Sequence, residues 1–138
     1  MIHMHPTRHD VDRFWVEGPR TYGAAIGTDH HIGRTAYGRL RALPVEDITQ
    51  HYVVVDTLRV PRETFAAIWE AWRDGYADAI GEHTRFTKAQ ALELFDDMIA
   101  CIRNPDGYAV WQVPILSARK RKDPTVTEIA VAPGRDRR

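Results

Sequence analysis

The chain has 138 residues, 43% of them hydrophobic and 28% charged, the make-up of one soluble globular domain rather than a disordered segment. Its 19 basic and 19 acidic side chains cancel, so the basic excess of a dedicated nucleic-acid binder is missing. Cys101, the sole cysteine, allows no intrachain disulfide and suits a reducing cytoplasm. No apolar run approaches the roughly 18 residues of a membrane span, and the N-terminus has no apolar signal-peptide core.

The chain opens MIHMHPTRHD, with His3, His5 and His9 close together and neither a strand nor a glycine-rich turn ahead of them. Residues 6–10 read as a turn. A helix starts at Asp10 or Asp12, acids suited to the positive end of a helix. It carries Phe14 and Trp15, breaks at Gly18 and Pro19, and continues with Tyr22. A further helix, capped by Asp29, runs to Leu43. Its Ile32, Ala36, Leu40 and Leu43 recur at helical spacing, and Pro44 stops it. A strand is expected over 47–56. Val53 and Val55 point one way, Ile48, Tyr52 and Val54 the other; both sets are apolar, so both faces call for cover.

Pro61 suits the first turn of the next helix, where Phe65, Ile68, Trp69, Trp72, Tyr76 and Ile80 form one broad stripe. Thr87 and Gln90 spell a capping box that launches a helix through Ala91, Phe95, Met98, Ile99 and Ile102. Asp97 and Arg103 on it read as ordinary surface residues, and Cys101 as a buried structural thiol. Residues 104–107 make a strong turn. A second strand follows, apolar on both faces, in which Pro114 calls for an edge position or a bulge. The order is helix, helix, strand, two helices, strand. Two strands make a poor sheet alone, and their edges invite a partner.

Three stretches carry a resemblance: MIHMHPTRHDVDRFW, GTDHHIGRTAYGRLRALPVEDITQHYVVVDTLRV and FDDMIACIRNPDGYAVWQVPILSARK. Together they resemble the C-terminal half of a class I S-adenosylmethionine-dependent methyltransferase of the bacterial small-molecule type. The resemblance implies an α/β chain that supplies half of a Rossmann-like sheet, with two long strands, the last antiparallel to its neighbours. It places the first stretch after the family's fifth strand, and the sixth and seventh strands in the other two. It covers residues 1–119, with 61–104 as a helical cap over the substrate and 120–138 as a basic flexible tail. The family's glycine-rich cofactor turn has no counterpart: Gly23, Gly27 and Gly33 lie in helical contexts, and none follows a strand. The chain alone is therefore expected to bind no S-adenosylmethionine. Met1 reads as an internal methionine of a longer or split protein, whose missing N-terminal half, or a second copy of this chain, completes the sheet.

His3 and His5 alternate in an extended segment and point the same way. The resemblance puts them at the carboxyl end of the fifth strand, as candidate general bases. His3, His5 and His9 match no specific zinc spacing, so no native metal is expected. Phe65, Trp69, Trp72 and Tyr76 read first as core; the resemblance makes them candidates for one wall of a small-molecule substrate site, and Phe14, Trp15 and Tyr22 for the opposite wall. The competing reading is a non-catalytic homodimer of α+β type whose strands pair across a two-fold axis around a small ligand.

Overall fold

The computed structural model describes residues 2–30 and 32–121. In chain order they form β1 (Ile2–His5), α1 (Val11–Glu17), α2 (Pro19–Ala25), α3 (Ile32–Arg41), β2 (Val45–Asp56), α4 (Arg62–His83), α5 (Lys88–Arg103) and β3 (Tyr108–Lys120). The three strands make one sheet in the order β1-β3-β2. β3 runs antiparallel to both neighbours, so β1 and β2 are parallel to each other.

The local signals explain the helices. Asp10 caps α1 by accepting the Arg13 N–H at 2.9 Å. Gly18 and Pro19 separate α1 from α2, as their chemistry dictates. The capping box at α5 closes in both directions: the Gln90 N–H donates to Thr87 Oγ1, and the Thr87 N–H donates to Gln90 Oε1. At the other end of α5, the Arg62 guanidinium donates to the Ile102 carbonyl in the last turn of the helix and to the Pro105 and Gly107 carbonyls of the turn that follows.

The register fixes the two faces of the sheet. Ile2 lies opposite Trp111 and Met4 opposite Ala109; His3 lies opposite Val110 and His5 opposite Tyr108. Cross-strand partners share a face, and neighbours along a strand alternate. Trp72 of α4 packs edge-on against Trp111 at 5.3 Å, so α4 covers the Trp111 face. Gly33 of α3 lies so close to Pro114 that a β-carbon there would fall 2.7 Å from Pro114 Cγ, so α3 covers the opposite face. The core forms on the Trp111 side. Phe14, Phe65, Trp69, Ile80, Phe95, Met98 and Ile102 are all essentially inaccessible to solvent. Each such side chain removed from water contributes roughly 1.5–3 kcal/mol.

Several expectations need correction. A short strand, β1, precedes everything else, because Ile2 and Met4 alternate with His3 and His5 and bury against the core. β2 is not covered on both faces: Tyr52 and Val53 are exposed, since α4 and α5 reach only the end of the ribbon around Val55 and Trp111. β3 is the middle strand, yet β1 accompanies it no further than Trp111, so Pro114 sits where β3 is paired on one side only. The ladder irregularity lies in β2 instead, between Glu46 and Thr49, where Asp47 adopts a left-handed φ of 53°. β3 continues through Lys120, and the Arg121 N–H still reaches the Pro44 carbonyl at 3.0 Å. Residues 122–138 of the basic tail lie outside the described residues.

The turn into β3 is tight. A β-carbon on Gly107 would fall 2.3 Å from the Cys101 carbonyl and 3.2 Å from that of Asn104, both backbone atoms. Gly107→Ala is therefore expected to lower stability by roughly 2–3 kcal/mol, and the melting temperature by about 10 °C in a scanning-calorimetry comparison with the parent.

Candidate functional site

The aromatic stripe of α4 divides along its length. Phe65 and Trp69 are fully buried in the core. Trp72 and Tyr76, one and two turns later, also meet Trp15 of α1 and Tyr22 of α2. There the rings stand apart and enclose a cavity of about 120 Å³. Trp15 and Trp72 stack at 5.6 Å with an angle of 23° between their planes. Tyr22 lies 6.1 Å from Tyr76 and stacks on His83 at 5.6 Å. Ile80 and Phe95 line the cavity from the core side, Pro19 from α2, and His30 from the loop after α2. Among the described residues, no carboxylate, ammonium or guanidinium lines it.

Four of the seven expected wall residues therefore meet in one place: Trp15, Tyr22, Trp72 and Tyr76. Phe14, Phe65 and Trp69 do not line this cavity; they are core. Phe14 packs edge-on against Phe86 and Phe95 at 5.3 and 5.4 Å. Trp69 packs against Trp15 and Trp72, and its buried Nε1–H has no hydrogen-bond partner among the described residues. His30, not among the expected wall residues, is the imidazole the fold brings to the rings.

His3 and His5 lie elsewhere. Both are exposed, and the register sets them on the face of the sheet opposite Trp111 and the aromatic cavity. The expected pairing of these bases with the aromatic walls does not occur within one cavity of the described structure.

His9 is held most firmly of the histidines. Asp97, 3% exposed, accepts the backbone N–H groups of Arg8 and His9 at 3.1 and 2.8 Å. It also meets His9 Nδ1 at 3.0 Å and Arg8 Nε at 3.3 Å, and His9 Nε2 lies 3.5 Å from Glu93. The expectation that Asp97 is a surface residue beside Arg103 is thus wrong: Arg103 pairs with Glu63 and Glu70, and Asp97 points inward. The i, i+6 spacing fails because the two residues do not share a helix face. Burial works to raise the Asp97 carboxyl, but the four donors outweigh it and hold the group below the ordinary aspartate range. His9 borders a second, more open hollow of about 320 Å³ with Arg13, Arg85 and Gln90. Arg13 and Arg85 both engage Glu17, so neither is free to capture an anion there.

Cys101 is buried and its Sγ sits 3.7 Å from the Tyr108 carbonyl. Burial pushes its thiol up, which suits an inert structural residue. Among the described residues no helix is long and apolar enough to cross a membrane. No protein-family model, curated protein or solved structure matches this chain.

Proposed function

We propose that this chain is the substrate-holding part of an S-adenosylmethionine-dependent methyltransferase acting on a small molecule. One observation carries the reading most of the way. The last strand lies between the other two and runs against both, as the resemblance to the C-terminal half of that family requires. The early strand β1 then corresponds to the end of the family's fifth strand, β2 to the sixth and β3 to the seventh. The outer edge of β1 carries no strand among the described residues, and it is the edge along which a cofactor-binding half would continue the sheet.

The division of labour follows from the residues. The chain offers ring surfaces that fix a substrate's orientation and exclude water, and these effects dominate when a methyl group must meet its acceptor in line. It offers no glycine-rich turn after a strand to cradle the cofactor. Calorimetric titration of the purified chain with S-adenosylmethionine is expected to give no saturable heat. One-to-one binding by the chain alone would contradict this division.

The homodimer reading keeps one supporting observation. The middle of the β2–β3 ribbon exposes Tyr52, Val53 and Ile115 beside the open edge of β2. Sedimentation velocity separates the two: the methyltransferase reading expects a monomer at micromolar concentration, and a stable dimer favours strand pairing between copies.

A further inference from the structure

We propose that the aromatic cavity takes one uncharged six-membered aromatic ring bearing a single hydroxyl or amine, with His30 accepting the hydrogen bond from that substituent. The inference rests on the reading of this cavity as the substrate site and names the class of substrate. Size comes first. The cavity holds about 120 Å³. An enclosed cavity of about 150 Å³ walled by aliphatic and aromatic groups accepts benzene; this one is somewhat smaller but opens to solvent, so one ring can seat in it with part of the ligand at the mouth.

Charge narrows the choice. A carboxylated ligand would be stripped of water with no cationic partner in the lining, a cost of several kcal/mol. A cationic ligand would find ring faces, but the stacked Trp15 and Trp72 present those faces largely to each other. An uncharged ring loses nothing on entry. It can stack or pack edge-on against Tyr22, Trp72 and Tyr76, which stand at varied angles.

His30 supplies the polar end. It is the single imidazole in the lining, in an otherwise apolar surround. It reaches the cavity because Gly23 of α2 leaves room for it. A β-carbon at Gly23 would fall 2.5 Å from both Cδ2 and Nε2 of the His30 ring. A neutral imidazole presents one nitrogen as an acceptor, which suits a hydroxyl or amine donor. His30 is thus a specificity-determining residue, and Gly23 is the residue that positions it.

NMR titration of the full chain, following the indole signals of Trp15 and Trp72, tests this with four probes: toluene, phenol, benzoate and benzyltrimethylammonium. Toluene and phenol are expected to shift both indoles saturably, and the two charged probes to bind at least tenfold more weakly. His30→Ala is expected to weaken phenol about tenfold and leave toluene unchanged, the size of one well-made hydrogen bond. Gly23→Ala should do the same by displacing the imidazole. It places a better helix former in α2, so the fold is expected to survive. If no uncharged ring moves either indole, the substrate-site reading falls and this inference with it. If toluene and phenol bind but neither variant alters phenol, the cavity stands as a ring site and the role of His30 is overturned. Preference for benzyltrimethylammonium over phenol would overturn the uncharged-ring assignment in favour of a cation cage.

Discussion

Replacing Asp97 by Ala is expected to remove about 3 kcal/mol of stability, among the largest effects available to a single polar residue here. The carboxylate is 3% exposed and satisfies two backbone N–H groups of the segment joining β1 to α1. Deleting it leaves two part-buried donors without their protein acceptor. It also releases the main polar tie between that segment and α5, leaving His9 with Glu93 alone. The effect should depend on pH in a defined direction. The folded state holds this carboxyl below its unfolded value. Its contribution is therefore fully present above the unfolded pKa of about 3.9 and is lost as pH falls through the lower, folded value. Urea denaturation of the parent and Asp97→Asn at pH 7 and pH 3 checks this. The gap between them should be wide at pH 7 and narrower at pH 3. A gap unchanged across that range would mean that the charge of Asp97 contributes nothing.

Trp69→Ala is expected to cost still more, roughly 3–5 kcal/mol, because a fully buried indole leaves a cavity that α4, α5 and β3 cannot collapse to fill. Trp69→Phe should be far milder, roughly 1–2 kcal/mol. It keeps most of the ring and removes a buried N–H that has no partner among the described residues. The pair of variants also separates core from cavity. Toluene binding should survive Trp69→Phe and be lost in Trp72→Ala, where a wall of the cavity goes. Chemical denaturation reads the first effect and NMR titration the second. Equal loss of toluene binding in Trp69→Phe and Trp72→Ala would return Trp69 to the ligand wall.

Much of the fold was legible because its signals are local. The capping box at Thr87, the break at Gly18 and Pro19, and the turn before β3 are short-range chemistry and appear where expected. β1 was legible as an extended segment with alternating histidines but not as a paired strand of this chain, because its pairing depends on the edge that β3 offers about a hundred positions later. The stripe on α4 was visible as a stripe, but its split into core and cavity was not. That split depends on what surrounds each turn, the buried cluster for Trp69 and Tyr22 of α2 for Tyr76, which periodicity does not encode. Asp97 was misread for a similar reason. Its partners, Arg8 and His9, lie almost ninety positions away in sequence. His30 reaches the rings through Gly23, a contact that a glycine in a helix hints at only after the structure is seen.

The central claim is that the sheet continues past β1 into a cofactor-binding half. Amide hydrogen exchange of residues 2–5 tests it, measured on this chain alone and on this chain expressed together with the segment encoded immediately upstream. The account predicts that the β1 amides pointing away from β3 exchange fast alone and gain at least hundredfold protection in the combined protein, and that one-to-one binding of S-adenosylmethionine appears with that protection. Unchanged exchange at β1, or new protection confined to the open edge of β2, would contradict it.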